Sequence, residues 1–138
     1  MTDIFTQHKR KEIMQKVKNR NTNIELILRK ELFKRGYRYG TKSSLFGKPD
    51  IIFPSKRITI FCDGDFWHGK NYSKESKNYK KFWKDKIKIN IERDKLVNKK
   101  LRHEKWTVLR FWKKDILKNP NKCVDLIEKV ILNKFVNR

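Results

Sequence analysis

The amino-acid sequence predicts an α/β or α+β domain in which helices flank a small mixed β-sheet. Three observations carry this. Apolar residues recur at helical spacing in three segments, near residues 22–36, 78–101 and 124–135. Short runs rich in Ile, Val and Phe, bounded by Gly, Pro and Asp, read as strands. Helical and strand segments are interleaved along the chain, the arrangement that places helices against a sheet. The 138 residues suit a single domain over 1–138, with residues 1–20, which carry six basic side chains, as a basic arm or short helix.

In chain order, the first well-marked helix opens with Thr22 as N-cap and Glu25 three positions on, continues through Ile24, Ile27, Leu28 and Leu32, and stops at Gly36. Tyr37 to Tyr39 reads as a short strand, and Gly40 to Pro49, with two glycines and a proline, as loop. Asp50 to Phe53 and Arg57 to Cys62 read as two strands; Pro54-Ser55-Lys56 between them makes a hairpin. Asp63 to Lys77 is irregular and polar-aromatic. A long helix follows over Asn78 to Leu101, with Trp83, Ile87, Val97 and Leu101 along one side. Trp106 to Phe111 reads as a buried strand and Val124 to Phe135 as a closing amphipathic helix, giving the order α-β-β-β-α-β-α.

Composition narrows the function. Lys and Arg total 37 against 15 Asp and Glu, a formal charge of +22. A polyanion best neutralises such a chain, and double-stranded DNA is the foremost candidate. Seventeen aromatic residues give it a core despite a charged fraction of 38%. No apolar run approaches the roughly 20 residues that span a bilayer, so no membrane partner is expected. The polar amino terminus shows no secretory signal. Only two cysteines, Cys62 and Cys123, are present, which fits a reducing cytoplasm better than a disulfide scaffold.

The chemistry gathers at the hairpin. Antiparallel strands of this length bring Asp50 close to Cys62 and Asp63, since paired strands lie about 5 Å apart. A carboxylate beside a second carboxylate or a backbone carbonyl is an oxygen-donor set suited to Mg²⁺. The same residues also suit turns, with Asp50 as a cap and Asp63-Gly64 as a tight loop. Phe66-Trp67 places two large aromatics in a polar loop, which serves either as a wedge between bases or as one core residue and one exposed residue. His68 titrates near neutrality and could act as a base, or could simply be solvated.

Taken in order, the motifs resemble the very short patch repair (Vsr) DNA mismatch endonucleases, a branch of the PD-(D/E)xK nuclease superfamily with a restriction-endonuclease-like core. They are Met14 to Thr22 followed by Glu25; Gly47-Lys48-Pro49-Asp50-Ile51; Ile60 to Gly69; Phe82 to Ile87; Asn90 to Asp94; and Trp106 to Leu109. The resemblance implies Asp50 as the side-chain ligand of a catalytic Mg²⁺, completed by the main-chain carbonyl of Cys62. It implies His68 as the base that activates water, Asp94 as a supporting charge from the long helix, and Glu25 reaching the metal's water shell, a role that competes with Glu25 in a capping box. Phe66, Trp67 and Trp83 would intercalate beside a mismatch, with Met14 entering from the opposite groove.

The implied activity is Mg²⁺-dependent nicking of one strand at or next to a T:G mismatch. A restriction-type nicking endonuclease of the same fold and a catalytically silent DNA-binding module are the alternatives; retention of Asp50, His68 and Asp94 argues against the silent module. A structural RNA binder would be allowed by charge alone. Members of the family commonly carry a structural zinc bound by Cys and His. Here the corresponding positions hold Asp65, Lys70, Asn71 and Tyr72, with no Cys or His near Trp112, so no structural zinc is expected.

Overall fold

In the computed structural model, which describes residues 23–64, 69–70 and 80–136, helix α1 spans Asn23–Lys34. Ile24, Leu28 and Leu32 recur at four-residue intervals, so all three fall on one face and are buried. Gly36, at φ +92°, ends the helix in the left-handed conformation that glycine adopts without a Cβ penalty, and the Tyr37 N–H closes the turn on the Leu32 carbonyl.

Strand β1 (Ile51–Phe53) pairs antiparallel with β2 (Ile58–Asp63), with Ile51 opposite Ile60 and Phe53 opposite Ile58. Pro54–Lys56 forms a single 3₁₀ turn between them, and Arg57 leaves it at φ 54°. The long helix α2 (Lys81–His103) then carries the chain to β3 (Thr107–Trp112), which pairs parallel to β2 from Ile58 opposite Thr107 to Asp63 opposite Trp112. The sheet order is therefore β1-β2-β3, mixed as expected. Two further helices follow, α3 (Lys113–Lys118) and α4 (Pro120–Val136).

Alternation along the strands divides the core. Ile51, Phe53, Ile58, Ile60 and Phe111 pack with Leu28 and Leu32 of α1, Ile116 of α3 and Val124, Ile127 and Ile131 of α4. Phe61 and Val108 face the other way, onto Val97 and Leu101 of α2. Trp83, Ile87, Val97 and Leu101 are the buried residues of α2, as their spacing predicts.

Two expectations are corrected. Tyr37–Tyr39 forms no strand: only Gly40 bridges to Ile52, because the two tyrosines are drawn toward the helices, the Tyr37 hydroxyl donating to Glu128 and the Tyr39 hydroxyl to the Arg29 carbonyl. The closing helix expected over 124–135 is present within α4, and α3 is an additional short helix, so the order among the described residues is α-β-β-α-β-α-α. The closing helix begins four residues earlier than expected, at Pro120, where the missing N–H costs nothing, with the Asn119 side chain accepting the Lys122 N–H at 3.1 Å. The dipeptide Asn119-Pro120 was the signal for that start. The basic arm (residues 1–20) and the Thr22 cap lie outside the described residues.

Candidate active site

The loop that delivers Asp50 is held by close packing. At Gly47 (φ +83°) an added Cβ would lie 2.5 Å and 2.8 Å from the two methyls of Val97 on α2, so a side chain there would collide with the helix. The Asp50 N–H donates to the Ile60 carbonyl at 3.0 Å, extending the β1–β2 ladder by one residue. The Asp50 side chain then turns across the strand end, where its Oδ2 accepts the Cys62 N–H at 2.7 Å. The hairpin thus brings Asp50 and Cys62 together as the sequence predicts.

Glu25 completes this end of the sheet from α1. It is only 7% exposed, and its carboxyl is hydrogen-bonded to that of Asp50. Burial pushes the Asp50 carboxyl up to about 7; the Cys62 N–H opposes the rise, while Glu25 and then Asp63 add to it. Burial likewise drives the Cys62 thiol well above its ordinary range, and the neighbouring carboxylates add to that, so the thiol is no nucleophile at neutral pH. Glu25 is held by Arg29 one turn along the helix, at 3.0 Å.

Asp63 and Asp94 form a second, adjoining cluster. Arg110 on β3 donates to both Asp63 oxygens at 3.1 Å and through Nε to the Asn98 side chain at 2.6 Å, and lies 3.6 Å from Asp94. Its guanidinium sits 4.1 Å over the Phe61 ring. A cleft of about 200 Å³ opens here, lined by Asp63, Asp94, Lys95, Asn98, Arg110 and Trp112. Asp94 and Asp63 thus share Arg110 as a common partner.

Trp83 does not present a wedge in this structure. It falls on the inward side of α2 and is 6% exposed, whereas Phe82 beside it is 59% exposed, with the two rings edge to face at 5.1 Å. Phe82 is thus the exposed aromatic of α2. Met14, Asp65, Phe66, Trp67 and His68 lie outside the described residues. Sequence reasoning missed Arg29 and Arg110. Both left a signal: Arg29 stands four residues after Glu25 on a helix, and Arg110 interrupts an apolar strand, where a charge needs a partner.

Among the described residues, no three Asp, Glu, His or Cys side chains converge to hold a metal by themselves. The donor set is instead one strand-end carboxyl, Asp50, next to the Cys62 backbone and a second carboxyl, Glu25. A buried carboxyl (Glu25) and a half-buried one (Asp50) in hydrogen-bond contact, with the latter raised to about 7, are a pair that a divalent cation would relieve, so the residues fit a hard oxygen-seeking metal. No helix among the described residues is long and apolar enough to cross a membrane.

Comparison with known proteins agrees with this geometry. The model of the DNA mismatch endonuclease Vsr family matches residues 2–74. The chain is 43% identical over 139 residues to the type II nicking enzyme V.HpaIIP of Haemophilus parainfluenzae, covering 97% of this chain and 99% of that protein. It is 40% identical to the type II nicking enzyme V.NmeDIP of Neisseria meningitidis serogroup C, over 96% and 92% of the two chains. It is 32% identical to the DNA mismatch endonuclease Vsr of Escherichia coli K12, over 81% and 74%. With its fold and the Asp50 strand end in the order that the motifs require, the chain belongs to the Vsr family of DNA endonucleases.

Proposed function

We propose that this chain nicks one strand of duplex DNA at or next to a T:G mismatch, and that the reaction depends on Mg²⁺. The observation that carries the reading is the Glu25–Asp50 carboxyl pair turned onto the Cys62 backbone at one strand end of a chain with a formal charge of +22. Asp50 and the Cys62 carbonyl would hold the cation, with Glu25 facing its hydration shell. A cation bound there supplies charge stabilisation for the phosphate oxygens during in-line displacement. His68 takes the proton from the attacking water, and the Asp63–Arg110–Asp94 cluster keeps the end of β2 in place. Phe66, Trp67 and Met14 enter the stack, which costs less where a mismatch has already weakened it.

A second reading has its own support: several relatives are named type II nicking enzymes. On that reading the same strand end nicks a short recognition sequence in matched duplex. The test is a nicking assay on end-labelled duplexes, matched and T:G-mismatched, with Mg²⁺ or with EDTA. A single-strand cut confined to the mismatched duplex and to Mg²⁺ is the expected result. Cleavage of matched DNA at a fixed sequence would replace the first reading with the second; binding without cleavage, across several divalent metals, would refute both.

A further inference from the structure

The opposite end of the sheet carries a different chemistry. A cavity of about 490 Å³ opens beside the first residues of β2 and β3, lined by Ser55, Lys56, Arg57, Thr107, Asn133 and Lys134 among others. Three of these are cations, and among the described residues no Asp or Glu lines it. Arg57 precedes Cys62 by five residues along β2, so the cavity lies about 16 Å from the Asp50 strand end.

Two of the cations, Arg57 and Lys134, are held in place. Arg57 stands at φ 54°, its carbonyl accepting the Thr107 N–H at 2.8 Å and its guanidinium donating to the Glu104 carbonyl at 3.1 Å. The Trp106 ring supports that guanidinium at 5.8 Å. Lys134 reaches over from α4, its Nζ 3.5 Å from the Arg57 carbonyl. Burial holds the Lys134 ammonium below its ordinary range, and the Arg57 charge lowers it further. A planar guanidinium, two ammonium groups and neutral Ser, Thr and Asn side chains around one cavity match a tetrahedral oxyanion, which accepts hydrogen bonds from several directions. The volume exceeds that of one such anion and leaves room for an attached ester group.

The geometry points to this cavity as a phosphate-binding site separate from the Asp50 centre, taking its phosphate from the backbone of DNA or from a free phosphate compound. A separation of about 16 Å is about five base-pair steps along the duplex axis, so one duplex can reach both ends of the sheet. The site does not rest on the nuclease reading, because it is defined by anion binding alone.

The test uses the full chain in EDTA. Inorganic phosphate is titrated at constant ionic strength while the lysine side-chain ammonium signals are followed by NMR. Lys134 should shift with saturation in the millimolar range and its titration should move upward, and Lys134→Gln together with Lys56→Gln should abolish the saturable shift recorded at the Thr107 amide. Duplex affinity is then measured across KCl concentrations. A fall of about 1 in the slope of log K against log salt for the double variant, with Lys118→Gln unchanged, assigns the phosphate to DNA. An unchanged slope, with saturable phosphate binding present in the parent and lost in the double variant, assigns it to a free compound. Non-saturating shifts spread over many lysines, or saturation at Thr107 that survives in the double variant, would overturn the proposal.

Discussion

Asp50→Asn should make this protein more stable at neutral to alkaline pH while removing its chemistry. The folded chain holds the Asp50 carboxyl at about 7, against 3.8 for an unperturbed aspartate. A carboxyl raised in the folded state binds its proton more tightly there than in the unfolded chain, so stability is highest at low pH. It falls as pH rises from about 4 to about 7 and levels off above that. The rise of about 3 pH units corresponds to roughly 4 kcal/mol at 1.36 kcal/mol per unit. Asparagine keeps an oxygen to accept the Cys62 N–H and offers an amide to Glu25, so the 2.7 Å contact survives and the buried charge does not. Urea unfolding of both proteins in EDTA at pH 5 and pH 8 measures this. The variant should gain stability over the parent at pH 8, by up to roughly 4 kcal/mol, and much less at pH 5. Cleavage should be abolished, with salt-dependent duplex binding nearly intact. An advantage that is absent at pH 8, or the same at both pH values, would refute the picture of Asp50 as a half-buried, proton-holding partner of Glu25. Simultaneous loss of DNA binding would assign Asp50 a structural role.

Three further outcomes follow from named contacts. Arg110→Met leaves Asp63, 5% exposed, without its guanidinium and leaves Asp94 beside it, so urea unfolding at pH 7 should show a loss of roughly 3–5 kcal/mol. Gly47→Ala places a methyl against Val97 at a positive φ and should cost about 1–3 kcal/mol in the same assay, with cleavage reduced because the displaced loop carries Asp50. His68→Ala, tested on the mismatched duplex, should lose cleavage with Mg²⁺ while keeping duplex affinity and the pH dependence of stability seen in the parent; retained cleavage would remove His68 from the role of base.

How much of this was legible in the sequence depends on how local each cause is. The hairpin, its short turn and the approach of Asp50 to Cys62 follow from period-2 alternation around Pro54-Ser55-Lys56, a local signal. The inward face of α2 likewise follows from spacing. What the sequence hides is partnership between distant residues. Tyr37 looks like strand, yet its hydroxyl reaches Glu128, 91 residues away, and the backbone follows the side chain. Arg110 joins Asp63 and Asp94 across three elements, and no run of neighbouring residues announces that. Trp83 and Phe82 are adjacent in sequence, and helical spacing with Ile87, Val97 and Leu101 already assigns Trp83 to the inward face, against the wedge role that the family resemblance implies.

The distribution of guanidinium groups around the strand end explains why Asp50, rather than its neighbours, is the residue suited to a cation. A surplus of 22 positive charges draws DNA to the whole molecule, but exposed lysines act through solvent and salt, and beyond about 8–10 Å their effect on a buried carboxyl is largely screened. Each buried carboxyl therefore needs a partner in contact. Glu25 has Arg29 at 3.0 Å, and Asp63 has Arg110 at 3.1 Å to both oxygens. Asp50 has the Cys62 N–H and the Glu25 carboxyl as hydrogen-bond partners, and among the described residues no cation contributes to its raised pKa. The two arginines satisfy the flanking carboxyls, so neither is left to draw an incoming ion away. Among the described residues, the charge that Asp50 would develop on the proposed mechanism thus meets no basic side chain, and a small hard cation arriving with the DNA is the group whose binding would compensate it.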